Sequence, residues 1–389
     1  KSVVDNINRM IATYTSEAHR FSKLEHSFKN AKARDEFVDS FVTSDTKRIS
    51  WSRSLKSSVG KGTEITFEPN NVRQACYRPF SRQWLYFDRK LNEVVYQMPR
   101  IFPDDSYENL CICVPARGQP GQFSALLVNA IPDLNLAPNM GGYQCFPRHV
   151  YEDAQPDEGL FAATGDQASG LSRRDGITDE GLAHFQVAYP GETITKEDLF
   201  YYIYGLLHAP DYRARFKYNL AKQLPRIPAV KSFEDFVAFR DAGRALGDLH
   251  VNFETVEPYM VTFKEGDHSL INEAQEDPVK FYRVKKMKFG GKGKEKDKTT
   301  IVYNEHITME NVPLEAYDYV VNGKPALEWV MERQVVKTDK ASGIVNDAND
   351  YANETVGDPR YPLELFQRVI TVSLETMKIV KALPALDID

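Results

Sequence analysis

The amino-acid sequence predicts an α+β protein in which a region of mixed short strands is followed by a helical region, a β-hairpin region and a closing C-terminal helix. Three observations predict this order. Short apolar runs broken by Pro and Gly fill residues 76–152, as is typical of short strands. Helix-capping signals followed by apolar stretches occupy residues 190–255. Residues 280–337 return to strand-like patterns, and residues 361–383 have the periodicity of an amphipathic helix.

Residues 1–75 are predicted to be mainly helical and to end in a polar connector. Val4, Ile7 and Ile11 recur at the spacing that places side chains on one face of a helix. The stretch from residue 43 to residue 64 is rich in Ser and Lys, which is typical of connecting segments.

Residues 77–87, YRPFSRQWLYF, begin the strand-rich region with five aromatic side chains and two arginines. Pro79 holds the preceding Arg78 in an extended conformation. Phe80 and Trp84 are large apolar bodies that favour burial. This composition predicts a structural corner that anchors the strands.

Capping signals define the helical region. Thr195 and Asp198 have the spacing of a capping box, and Ser232 and Asp235 repeat it. Pro210 ends the first of these helices and opens another, because proline is tolerated in a first helical turn but not in a helix interior.

The segment 283–298 carries eight Lys or Arg residues and two acidic residues, with glycines that suit a hairpin. If it forms a strand, Lys286 and Lys288 project from one face, and Lys292 lies near the tip. Such a ribbon could enter a DNA major groove or follow phosphates. Alternatively, the lysines only protect an edge strand from pairing.

Other residues have side chains suited to reading base edges. Arg173 and Arg174 lie in a long polar loop, Arg117 and Gln119 follow a strand end, and Asn139 lies two positions before a pair of glycines. Arg pairs well with guanine, and Asn or Gln with adenine. The same residues are also common in ordinary turns and surface loops.

Composition excludes several classes of protein. The net charge of −6 is unlike that of a module that binds nucleic acid through phosphate contacts alone, although local distribution matters more than the total. No apolar run approaches the roughly 18 residues of a membrane span, and we expect no secretory leader. We expect a cytoplasmic protein without membrane contact.

Four cysteines are too few for a disulfide scaffold of this size. Cys111, Cys113 and Cys145, with His149, could supply four zinc ligands, but C-x-C is not the usual ligand spacing. Buried reduced thiols are the favoured interpretation. We predict no bound metal.

No catalytic motif is recognisable. Gly293 and Lys294 are followed by Glu295, whose charge would repel the phosphate that a Walker A loop binds. Neither an Asn-Pro-Pro-Tyr methylation motif nor a nuclease core appears. We therefore predict no catalytic residue and no cofactor bound by this chain.

Several segments, taken together and in order, resemble the C-terminal specificity region of Type ISP restriction–modification enzymes. They are YRPFSRQWLYFDR with MPRIFP, then FSALLVNAIPDLN, QCFPRHVYE, YYIYGLLHAPDYRARF, LPRIP and DKASGIVNDAND, between residues 77 and 350.

This resemblance implies a segment of a longer polypeptide. Residues 1–75 would be the tail of, or connector to, a methyltransferase domain, and residues 76–389 would form the target recognition domain. That domain would bind double-stranded DNA, position a target adenine for the methyltransferase and set cleavage specificity. S-adenosylmethionine, ATP and Mg would then belong to domains outside this chain.

Two other functions remain open at this point. The chain could be a stand-alone enzyme with an unrecognised active site around His149 or within residues 339–350. It could instead be a protein-interaction scaffold whose aromatic residues dock a partner.

Overall fold

The computed structural model describes residues 2–116, 122–136, 142–153, 170–267, 276–293 and 295–388. Its helices and strands follow the α+β order that the sequence predicts, except that Arg53–Lys61 form a helix within the stretch predicted to be a polar connector. The helices are α1 (Ser2–Ser22), α2 (Ala31–Phe41), α3 (Arg53–Lys61), α4 (Met98–Ile101), α5 (Asp179–Ala188), α6 (Lys196–His208), α7 (Pro210–Arg215), α8 (Lys217–Leu220), α9 (Phe233–Val251), α10 (Pro278–Phe281), α11 (Ala326–Arg333), α12 (Ala348–Tyr351) and α13 (Tyr361–Lys381).

The strands are short and belong to several small sheets. They are β1 (Val72–Arg78), β2 (Ser81–Tyr86), β3 (Cys111–Pro115), β4 (Leu126–Val128), β5 (Ile131–Pro132), β6 (Tyr143–Pro147), β7 (His149–Asp153), β8 (Leu171–Asp175), β9 (Thr262–Phe263), β10 (Lys288–Lys292), β11 (Glu295–Val302), β12 (Thr308–Glu310), β13 (Val320–Val321), β14 (Lys324–Pro325), β15 (Val336–Thr338) and β16 (Val345–Asp347). The strand orders are β2-β1-β5, β4-β3-β6 and β10-β11-β12-β9, and three further pairs are β7-β8, β13-β14 and β15-β16.

Strand β3 lies between two apolar clusters. Cys111 and Cys113 belong to a cluster formed with α11, α13 and β11, whereas Ile112 and Val114 belong to a second cluster with α5, α6 and α9. Alternate residues of a strand point to opposite faces, so this sheet is buried on both sides. A third cluster, around Tyr14, packs α1, α2 and α3 together.

The aromatic corner predicted from residues 77–87 is an antiparallel hairpin of β1 and β2. Arg78 pairs with Asp133 at 2.9 Å, and Phe80 packs edge-on against Phe253 at a ring distance of 5.5 Å. Trp84 differs from the prediction, because 40% of its surface is exposed. Its indole Nε1 donates a hydrogen bond to Thr355 instead.

The predicted helix boundaries are largely confirmed. Thr195 and Asp198 form a reciprocal capping box at the start of α6, and Pro210 opens α7. The Ser232 side chain accepts a hydrogen bond from the backbone N–H of Asp235 at the start of α9. In the described part of the chain, no helix combines the length and apolarity that crossing a membrane requires.

Helices α6 and α9 approach closely where two glycines face each other. A Cβ atom at Gly243 would lie 1.8 Å from the carbonyl oxygen of Tyr201, and one at Gly205 would lie 2.0 Å from that of Phe239. Such distances leave no room for any side chain. The glycines are therefore required by helix packing.

We expect Gly243→Ala to lower the free energy of unfolding by about 1–3 kcal/mol, since the added methyl group forces the two helices apart. Urea unfolding followed by circular dichroism measures this change. Gly181→Ala is the matched control, because a Cβ there meets Thr178 Oγ1 at 3.5 Å and Ile177 Cγ2 at 3.7 Å, which are ordinary contact distances. An equal loss in both variants would contradict the explanation.

A buried chain of hydrogen bonds connects the two large clusters. The backbone N–H of Leu127 donates to the hydroxyl of Tyr204, whose oxygen lies 2.6 Å from His250 Nδ1. His250 Nε2 lies 2.9 Å from Thr376 Oγ1. A neutral imidazole with its proton on Nε2 satisfies both contacts. Burial, with the nearby charge of Arg213, lowers the pKa of His250 to about 3.

This depressed pKa predicts acid sensitivity. The unfolded state takes up a proton at His250 near pH 6.5 while the folded state does not, so stability falls as pH drops from about 6.5 towards about 3. At pH 5 the expected loss from this residue is about 2 kcal/mol. Urea unfolding at pH 7.5 and pH 5 measures it. His250→Gln should show a smaller difference between the two pH values than the unmodified chain, and an unchanged difference would contradict this assignment.

Candidate nucleic-acid interface

The lysine-rich hairpin forms as strands β10 and β11. Its register shifts between Phe289 and Gly290, which leaves a bulge in β11. Gly291 has a φ of +87°, and a Cβ there would lie 2.2 Å from the carbonyl oxygen of Glu295, so only glycine fits. Met287 is buried, whereas Lys286 and Lys288 on either side of it are exposed, as the strand pattern predicts.

One side of this hairpin forms a wall of a groove of about 790 Å³. The opposite wall comes from the end of α11 and from the start of β15. We call this the basic groove. Its charged lining residues are Lys286, Lys288, Lys296, Glu328, Glu332, Arg333 and Lys337.

Backbone and amide hydrogen bonds hold the two walls together. Lys286 forms a β-bridge with Val335, and the N–H of Val336 donates to the carbonyl of Lys285 at 3.0 Å. The buried side chain of Asn349 binds both backbone groups of Val284, accepting from the N–H at 2.9 Å and donating to the carbonyl at 2.8 Å. The position of the hairpin is therefore set by contacts with residues more than 45 positions away in sequence.

The basic groove carries five cations and two acidic groups. Both acidic groups have cationic partners outside the groove lining. Glu328 pairs with Lys298 at 3.0 Å and Glu332 with Lys324 at 2.6 Å. Burial acts to raise the pKa of Glu332, but the hydrogen bond and charge of Lys324 leave that pKa lowered.

Four of the lysines in the groove are available to a ligand. None of them forms an ion pair within the described ranges. They are Lys286, Lys288, Lys296 and Lys337. Lys296 Nζ also lies 5.6 Å from the ring centre of Phe289. Four unpaired ammonium groups along one groove attract a polyanion such as a nucleic-acid backbone.

Residues 1–365 match the family described as the Type ISP C-terminal specificity domain. The chain belongs to this family. The prediction made from the sequence segments is confirmed. No curated protein matches the chain.

Solved structures similar to this specificity domain cover nearly all of it. A nuclease-deletion mutant of the Type ISP restriction-modification enzyme LlaGI, in complex with a DNA substrate mimic, is 34% identical with a TM-score of 0.79, over 100% of this chain and 26% of that chain. The ATP-dependent Type ISP restriction-modification enzyme LlaBIII bound to DNA is 31% identical with a TM-score of 0.79. The match covers 100% of this chain and 22% of that chain. The DrdV–DNA complex is 27% identical with a TM-score of 0.76. The match covers 98% of this chain and 33% of that chain. The chain thus spans a third or less of each of these relatives.

The residues predicted to bind DNA are distributed over separate parts of the specificity domain. Lys286 and Lys288 line the basic groove together, whereas Lys292 is exposed at the end of β10 and is not among the lining residues. Arg117, Gln119 and Asn139 lie outside the described residues. The sequence reasoning did not single out Arg333 and Lys337, because only tertiary contacts bring α11 and β15 beside the hairpin.

Arg173 and Arg174 require a correction. They lie in strand β8, paired with β7, and not in a loop as predicted. Arg174 bonds to Glu152 at 3.1 Å, and Arg100 pairs with the same carboxylate. Part of the charge of Arg174 is thereby neutralised, and both arginines are exposed. Neither arginine lines the basic groove.

The cysteine residues considered as zinc ligands meet only in part. The Sγ atoms of Cys111, Cys113 and Cys145 lie within 4.8 Å of one another. His149 is not part of this group. Its Nδ1 lies 3.3 Å from Asp175, and burial together with the charges of Arg173 and Arg148 lowers the pKa of this imidazole. The prediction of reduced thiols without metal stays a prediction.

Proposed function

We propose that this specificity domain recognises double-stranded DNA for a larger restriction–modification enzyme and that the basic groove contacts the DNA backbone. The single observation that carries the second part is the row of four lysines without ion-pair partners in one groove. Family membership and two DNA-bound relatives at 31% and 34% identity support the first part.

The overall charge of −6 is compatible with this role. An acidic body repels DNA, so attraction must come from a local concentration of positive charge. The basic groove supplies it, because its two carboxylates are already paired with Lys298 and Lys324 outside the lining. Phosphate contacts of this kind fix the position of a duplex, and base contacts then give specificity.

The parts of the proposal that concern absent domains follow from the resemblance. Residues 1–75 would be the tail of, or connector to, a methyltransferase domain of the same polypeptide, although the family match includes them. S-adenosylmethionine, ATP and Mg would act in other domains, and this chain would position a target adenine for methylation. The cytoplasmic location stays a prediction.

The stand-alone enzyme is less well supported, because two of the three acidic residues between positions 339 and 350 have structural partners. Asp347 pairs with Arg283 and accepts from Asn349, and Asp339 accepts from Ser342. Hydrogen bonds from Ser342 lower the pKa of the Asp339 carboxyl, and the same hydrogen bonds stabilise a turn. No described feature specifically favours the protein-interaction scaffold.

We expect Lys286→Ala combined with Lys288→Ala to weaken binding to duplexes of any sequence. The dependence of log affinity on log salt should also become shallower by about two units, because about one counterion is released per phosphate contact. Fluorescence anisotropy of a labelled duplex, titrated at several NaCl concentrations, measures both effects.

The matched control replaces Lys23 and Lys29 with alanine. Both are exposed and lie near α1 and α2, outside the groove lining. The control has the same change in net charge, so it should leave the salt slope unaltered. Equal slopes for the two double variants would remove the groove from the DNA interface.

A further inference from the structure

A polar cavity of about 220 Å³ adjoins the basic groove. It lies between strand β2, the end of α11 and the hairpin of β15 and β16. Glu332, Arg333, Val335 and Lys337 line both the cavity and the groove, so the two spaces share a wall. At about 30 Å³ per water, the cavity holds roughly seven waters, which is also about the space of one heterocyclic base.

Three carboxamide side chains line this cavity, which we call the carboxamide cavity: Gln83, Gln334 and Asn346. None of them makes a side-chain hydrogen bond within the described parts of the chain. Gln334 is 5% exposed, and its Oε1 is buried without a hydrogen-bond partner. A buried acceptor in this state lowers folding stability unless a ligand supplies a donor.

The charged groups of the cavity, by contrast, are largely occupied. Arg82 pairs with Glu254 at 2.7 Å, and Asp347 pairs with Arg283. Asp339 accepts two hydrogen bonds from Ser342. A ligand therefore meets amide groups with free hydrogen-bonding capacity, beside two paired charges, the hydrogen-bonded Asp339 and the unpaired ammonium of Lys337. Amide groups suit a planar, uncharged partner with adjacent donors and acceptors.

We propose that the carboxamide cavity receives a nucleobase of the recognised DNA, whose exocyclic amine donates to Gln334 Oε1. This inference rests on the proposed function. It specifies which chemical group the recognised DNA must present at one base position. Glutamine and asparagine are the usual partners of the adenine edge, which presents an amine donor next to a ring-nitrogen acceptor. A backbone held in the basic groove would bring a base to the shared wall.

The experiment first selects duplexes from a random library with the full-length protein and with its Gln334→Met variant. Methionine has a similar size but cannot accept a strong hydrogen bond. We expect the variant to lose its preference at one base position while keeping the others. At that position, an analogue that lacks the amine should weaken binding to the unmodified protein by about 10-fold and to Gln334→Met by less than about 2-fold.

Two further variants separate recognition from folding. Gln334→Glu keeps an acceptor oxygen and should keep the preference for the amine. Asn346→Ala changes an exposed side chain of the same cavity and should weaken the preference at the same position. The melting temperature of Gln334→Met should equal or exceed that of the unmodified protein, since an unpaired buried acceptor is removed.

The possible failures are distinguishable. If the unmodified protein selects no sequence, the proposed function is wrong and this inference with it. If it selects a site, and Gln334→Met and Asn346→Ala select the same site with the same preferences, only the base-binding role of the cavity is overturned. The base-binding role is also overturned if a base analogue without the amine weakens binding equally for the unmodified protein and for Gln334→Met.

Discussion

Burial of strand β3 on both faces is the constraint on which the rest of the fold depends. Cys111 and Cys113 face the cluster that includes α11 and α13, and Ile112 and Val114 face the cluster that includes α6 and α9. A strand covered on both sides needs apolar residues at every position, and the run from Cys111 to Val114 meets this need. Because one strand contributes to both clusters, the helical region and the later strand region have fixed relative positions.

Buried polar groups that hold the fold together have hydrogen-bond partners, whereas a buried group without a partner is available to a ligand. Tyr204, His250 and Thr376 form a connected chain inside the core, and each member has a partner. Asn349 likewise uses its amide to hold Val284, which precedes strand β10, against α12. By contrast, the Oε1 of Gln334 is one of several buried side-chain polar atoms in the described residues that have no hydrogen-bond partner. Gln334 lines a cavity beside the basic groove, where we propose that a DNA base supplies the missing donor.

The distribution of charge, and not its sum, gives this acidic protein the basic groove that we propose contacts DNA. The sequence pattern correctly indicated that Lys286 and Lys288 share a face, because strand periodicity is a local property. The other wall of the basic groove, with Arg333 and Lys337, was not predictable in this way. It reaches the hairpin through the bridge between Lys286 and Val335, which joins residues far apart in sequence. The predicted loop at Arg173 and Arg174 is a strand because β7 provides the hydrogen-bonding edge.

The sequence by itself determined the order of the elements, the α6 capping box at Thr195, the hairpin turns and the family. Each of these depends on residues within a few positions of one another or on recognisable segments. Only the tertiary structure decided which cations share a groove and which amides line a cavity. Trp84 illustrates the limit, since its size favours burial, yet its position on β2 leaves it partly exposed with a bond to Thr355. Local patterns specify secondary structure, whereas a binding site depends on side chains that long-range packing brings together.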